Sequence, residues 1–145
     1  MIFPTVTVAP PWQSLLSTSY PVEILVEFAH DRLVQLVARI ARLCGLVTQI
    51  EPCVDDDKSR TDGHLFLHSQ ASSFDVSVVD PSAKTYVKAA QRPLGAACSV
   101  EAQKIDHYTA RCRAQGFLFD AVVLESFGAL GVRCRDLVSK IHEEG

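Results

Sequence analysis

The chain has no uninterrupted apolar run approaching the roughly 18 residues that mark a bilayer-spanning helix, and its opening stretch "MIFPTVTVAPPWQ" lacks a basic flank. Neither a transmembrane helix nor a signal peptide is expected. The cysteine pattern of stapled or zinc-bound domains is missing too. The five cysteines (Cys44, Cys53, Cys98, Cys112, Cys134) are odd in number, widely spaced and contain no C-x-x-C pair. That argues against a disulfide framework or a zinc ribbon and points to a reducing, intracellular setting. Excess positive charge is also absent. With a net charge of −3, a generally basic nucleic-acid coat is excluded, so any contact with nucleic acid must come from local patches. The sequence shows no internal repeat, low-complexity tract, zinc knuckle, helix-turn-helix signature or polymerase motif.

What remains is a chain of 145 residues, 48% hydrophobic and 21% charged, which suits a single domain with one real core. Residues 1–21 hold four of the seven prolines and no helical period, and read as an extended N-terminal lead to a domain over 22–145. From about Val22 to Cys44 the apolar positions Val26, Leu33, Val34, Val37, Ile40, Ala41 and Cys44 recur at helical spacing, with Gly45 as a stop. "LVTQIEP" is a short strand, followed by an acidic run, Asp55 to Asp57, read as a solvated loop. "DGHLFLH" and "SFDVSVV" form a hairpin around the turn "SQASS". An alanine-rich stretch from Ala83 to Arg113, broken at Pro93, predicts a short helix and then a longer one closed at Gly116. "FLFDAVVLESFG" is a buried strand, and "CRDLVSKIHEE" a closing helix with Leu137, Val138 and Ile141 inward. Layer rules turn this order into an α/β sandwich, a central mixed sheet with helices on both faces.

One carboxylate stands out because burial should exclude it. Asp75 lies inside "FDVSVV", and strand alternation puts Asp75, Ser77 and Val79 on one face with Val76 and Val78 on the other. An ionised carboxylate there is costly unless a positive partner meets it. Asp62 lies near the start of the preceding hairpin strand, and antiparallel pairing can bring the two acids to one edge of the sheet. Two oxygen donors on stiff strands suit Mg²⁺ beside a phosphate. The plain alternative is a turn aspartate at Asp62 and a salt-bridged structural aspartate at Asp75.

His30 falls on the apolar face of the first helix in register with Leu33, Val34 and Val37, as a satisfied core histidine or as a site residue. In "EAQKIDHY", Glu101, Lys104 and Tyr108 share a helix face through spacings of three and four. A lysine aimed at a carboxylate pair can position a water or neutralise developing phosphorane charge; otherwise it is a surface lysine. Arg32, Arg39 and Arg42 stripe the outer side of the first helix, as solvation or as phosphate contacts. The 83–113 segment, with Lys84, Lys88 and Arg92 near its start, carries six basic against two acidic residues, the one locally basic stretch.

The succession "HDRLV", "SRTDGHL", "FDVSVVDPSA", "VEAQKIDHY" and "FLFDAVVLESFGALG" resembles the PD-(D/E)XK nuclease superfamily. More narrowly, it is similar to the restriction-enzyme-like endonuclease domain of non-LTR retrotransposons. The similarity covers about residues 28–141 through short, degenerate motifs. It implies a restriction-endonuclease-like core in the order α-β-β-β-α-β. It also implies Mg²⁺-dependent hydrolysis of DNA phosphodiesters, with Mn²⁺ able to substitute. Asp62 and Asp75 would be metal ligands and catalytic acids, and Lys104, Tyr108 and His30 further catalytic residues. Arg32, Arg39, Arg42, Lys84, Lys88 and Arg92 would contact DNA. Two positions depart from the pattern, Thr61 where a proline precedes the first aspartate and Ser77 where a lysine follows the second acid. Glu125 reads as structural. The implied partners are DNA, a reverse transcriptase, a separate DNA-recognition module and a second copy in a homodimer, with no membrane, and a nuclear location for a eukaryotic element. The alternative is a catalytically degenerate nuclease fold serving as a nucleic-acid-binding or protein-interaction module.

Overall fold

The computed structural model describes residues 22–51 and 60–144. The expected lead over 1–21, Cys53 and the acidic run Asp55 to Asp57 lie outside the described residues. Along the chain come α1 (Val22–Leu43), β1 (Val47–Ile50), β2 (Gly63–Phe66), β3 (Ala71–Val79), a 3₁₀ turn (Ala89–Gln91), α2 (Gly95–Ala114), β4 (Leu118–Glu125) and α3 (Val132–Glu144). Gly45 and Gly116, both in the left-handed region (φ +80 and +83), end α1 and α2. The Gly45 amide donates to the Arg42 carbonyl (2.9 Å) and that of Leu46 to Ala41 (2.9 Å), which satisfies the last carbonyls of the helix.

The four strands form one mixed sheet in the order β1-β2-β3-β4. β1 with β2 and β2 with β3 are antiparallel, whereas β4 runs parallel to β3, with Asp75 opposite Ala121. Parallel pairing requires a crossover, and α2 supplies it. Period-two alternation then divides the apolar residues between the two faces. Leu65, Phe74, Val76 and Val122 pack with Val34, Val37 and Ala41 of α1 and Cys134, Leu137 and Ile141 of α3. Val79, Ala121 and Val123 pack with Ala96, Ala97 and Val100 of α2. The result is a three-layer α/β arrangement, with α1 and α3 on one face and α2 on the other.

Three details differ from expectation. The short helix expected between Ala83 and Pro93 is reduced to the 3₁₀ turn Ala89–Gln91. Val138 is exposed, because the buried stripe of α3 runs through Cys134, Leu137 and Ile141 and leaves Val138 off its edge. The second hairpin strand starts at Ala71, inside the expected turn. Ser72 and Ser73 can be buried there because each hydroxyl has a partner, Asp120 and Thr61 respectively. Among the described residues no helix is long and apolar enough to cross a membrane.

Glycine at two positions is dictated by contact. A Cβ on Gly63 would lie 2.4 Å from the Phe74 ring, which takes up the space a side chain there would need. A Cβ on Gly131 would lie 2.1 Å from Oε1 of Glu101. That carboxylate, buried on α2, accepts the Arg133 amide (3.0 Å) in the first turn of α3. It satisfies a helix N-terminus from across the layers, and burial holds its pKa up even so.

Candidate active site

Asp75 sits on the α2 side of β3, where alternation places it with Ser73, Ser77 and Val79. It is 6% exposed. Its Oδ2 accepts a hydrogen bond from Nζ of Lys104, halfway along α2, in an ion pair. Burial is the largest influence on the Asp75 carboxyl and raises its pKa; Lys104 opposes this, and the charge of Asp62 with a hydrogen bond to it adds to it, leaving a value of about 6. The two acids that the sequence placed on neighbouring strands therefore meet.

Asp62 lies just ahead of β2. Its own amide donates to the Phe74 carbonyl (3.0 Å), continuing the hairpin ladder. Its Oδ2 accepts from the Val76 amide (2.6 Å) and from Nε2 of His30 (3.0 Å). The other ring nitrogen of His30 meets Oδ1 of Asp31 (3.2 Å). Burial draws the His30 pKa down, but hydrogen bonds and charge from Asp31 and Asp62 outweigh it, and the net shift is upward. Each acid of the pair thus has a basic partner from a different helix, His30 from α1 for Asp62 and Lys104 from α2 for Asp75.

Tyr108, one turn beyond Lys104, completes the cluster. Its hydroxyl donates to the Arg60 carbonyl (3.2 Å), and its ring lies against Phe119 (5.1 Å between centroids) and 6.0 Å from Nζ of Lys104. Burial, followed by the charges of Asp75 and Asp62, raises its phenol pKa. At the two departures from the motif, Thr61 is buried with its hydroxyl 2.5 Å from that of Ser73. Ser77 shares the Asp75 face without reaching it as a lysine would, and Lys104 supplies the ammonium group there instead.

The five expected site residues, His30, Asp62, Asp75, Lys104 and Tyr108, therefore lie together. Glu101 does not join them, because the unpaired amides at the start of α3 draw its carboxylate the other way. The expected DNA contacts are spread over two parts of the fold. Arg32, Arg39 and Arg42 are exposed on α1, with Arg32 over the Phe28 ring (5.1 Å) and Arg42 bonded to Thr48 (3.0 Å). Lys84, Lys88 and Arg92 are exposed on the β3–α2 connection. Glu125 accepts the Ala97 amide (3.3 Å) near the start of α2, a capping role.

Sequence reasoning missed Asp120, which is buried on the opposite face of the sheet against Ser72 and Lys140. The signal was the same as for Asp75, a carboxylate inside the apolar run "FLFDAVV". It also missed the Arg60 carbonyl and Asp31, whose roles depend on tertiary proximity.

Asp62 and Asp75 are the residues that could hold a divalent cation. They offer hard carboxylate oxygens, and the mutual repulsion that helps raise Asp75 is what a positive charge between them would relieve. Among the described residues no group of three or more His, Cys, Asp or Glu side chains is arranged to hold a metal ion. A scan against models of protein families and a search of curated proteins both find no match for this chain.

Proposed function

We propose that this domain is a Mg²⁺-dependent DNA endonuclease with a restriction-endonuclease-like core, one that nicks target DNA for a mobile element bearing a reverse transcriptase. The observation that carries the reading is the interacting pair of Asp62, half-buried just ahead of β2, and Asp75, buried on β3, with Lys104 brought in from α2. Few structural needs explain two interacting carboxylates in a strand pair otherwise built for burial. The mixed four-stranded sheet with helices on both faces is compatible with such a core, and in this reading Lys104 takes the role left open by Ser77.

In this reading Asp62 and Asp75 bind the cation, with Mn²⁺ as a substitute. The bound ion would supply Lewis-acid polarisation of the scissile phosphate and a more acidic water. Lys104, beside Asp75, holds the attacking water and offsets charge accumulating on the phosphoryl oxygens. Water adds to phosphorus, the bond to the 3′ oxygen breaks, and that oxygen leaves with a proton as the hydroxyl that primes synthesis. Tyr108 secures the segment leading into Asp62 through the Arg60 carbonyl. Lys84, Lys88 and Arg92, with Arg32, Arg39 and Arg42, contact phosphates without reading sequence. Target choice then falls to a separate recognition module, and a homodimer would cut both strands. The setting is intracellular, and nuclear for a eukaryotic element.

The second reading is a degenerate nuclease fold that binds nucleic acid or protein without cleaving. Lys104 favours it by already neutralising Asp75. Nicking of supercoiled plasmid in Mg²⁺ or Mn²⁺, compared with EDTA and with Asp75→Ala, decides between them. Metal-dependent nicking lost in the variant supports the nuclease, and a folded parent that never nicks in either metal supports the degenerate module.

A further inference from the structure

Asp62 stands just outside β2, so the sheet fixes its backbone but leaves its carboxylate to its own torsions. Two donors remove that freedom. The Val76 amide, from β3, and Nε2 of His30, from α1, converge on the same oxygen, Oδ2 (2.6 and 3.0 Å). His30 is anchored in turn from its far side, where Nδ1 meets Asp31 Oδ1 at 3.2 Å. The imidazole therefore bridges a neighbour on its own helix and one oxygen of the acid pair. It also lines a recess of about 190 Å³ with Gln35, Glu51 and Asp62, which keeps the contact at the site's edge and not in the packed core.

We propose that His30 is the positioning residue for Asp62. By taking Oδ2 together with the Val76 amide, it turns Oδ1 of Asp62 toward Asp75, so that a divalent cation meets one fixed oxygen in place of a rotating carboxylate. The proposal rests on the reading of Asp62 and Asp75 as a cation site. Groups that orient a metal ligand from behind act through affinity, and their loss typically costs about 10–100-fold.

The test is Mn²⁺ binding by titration calorimetry to the parent protein, His30→Ala, His30→Gln and Asp75→Ala, with folding checked by circular dichroism. His30→Ala should weaken Mn²⁺ binding about 10–100-fold. His30→Gln, whose amide nitrogen reaches about as far as Nε2, should restore most of the affinity. A folded His30→Ala protein that binds Mn²⁺ as tightly as the parent overturns the positioning role while leaving the cation site standing. A parent no different from Asp75→Ala removes the cation site and the positioning role with it. If His30→Ala does not fold, His30→Asn, whose shorter amide stops short of Asp62, is compared with His30→Gln. Equal affinities for those two overturn the proposal.

Discussion

Replacing Asp75 with asparagine should make the metal-free protein progressively more stable, relative to the parent, as pH rises. The Asp75 carboxyl titrates near 6 in the folded protein against 3.8 for an ordinary aspartate, with burial as the leading cause. Below 3.8 both folded and unfolded chains hold the proton, and the group makes no difference. Between the two values the unfolded chain releases its proton while the folded chain keeps it, so unfolding becomes easier. Above about 6 both are ionised and the loss is complete. A gap of about two units corresponds to about 3 kcal/mol at roughly 1.4 kcal/mol per unit. Asparagine keeps the shape and cannot ionise. The difference in unfolding free energy between variant and parent should therefore move in the variant's favour by about 3 kcal/mol between pH 3.5 and pH 8. Leaving Lys104 without its carboxylate adds an offset without changing that trend. Urea denaturation of both proteins in EDTA at several pH values measures the difference directly, and groups that titrate alike in both drop out. A difference that stays flat across this range would refute the claim that Asp75 is held in the fold against its preference for water.

In the plasmid assay, Lys104→Ala should lower the nicking rate by about 10²-fold or more, as expected for a group acting on developing charge, while Lys88→Ala should weaken DNA binding and leave the saturated rate near that of the parent. Equal losses would take Lys104 out of the chemistry. Gly131→Ala should cost about 1–3 kcal/mol in urea denaturation, since the new methyl would fall 2.1 Å from Glu101 Oε1 and displace it from the Arg133 amide. Phe74→Ala should cost about 3–5 kcal/mol, whereas Val138→Ala, at an exposed position of α3, should stay within about 0.5 kcal/mol of the parent.

The elements of the fold were legible wherever hydrophobic period and punctuation agreed. The helical spacing before Gly45, the strand ended by Pro81 and the longer helix closed by Gly116 appear as expected, whereas the short helix expected before Pro93 is only a 3₁₀ turn. Asp62, Asp75 and Lys104 could be singled out because a charge in an apolar setting is conspicuous. Their meeting follows from hairpin register and from a helix that crosses back over the sheet. Other features depend on distances that no local pattern encodes. Asp31 matters only through the orientation of His30, and Asp120 only because Ser72 and Lys140 converge on it. Val138 was misassigned because Leu137 and Ile141 alone leave the direction of the stripe undetermined, and Cys134 settles it.

The parallel pairing of β3 with β4 sets an order in time. β2 and β3 are joined by a short link and can close as a hairpin on the microsecond scale, before distant segments have found each other. β4 must wait for the whole α2 crossover, a contact between residues far apart in the chain, and such pairings form slowly. During that interval Asp62 and Asp75 face each other without Lys104, so the nascent hairpin carries its repulsion alone. The docking of α2 brings Lys104 to Asp75 as it adds the last strand, so closure of the sheet and arrival of the compensating ammonium group are one event on the folding path.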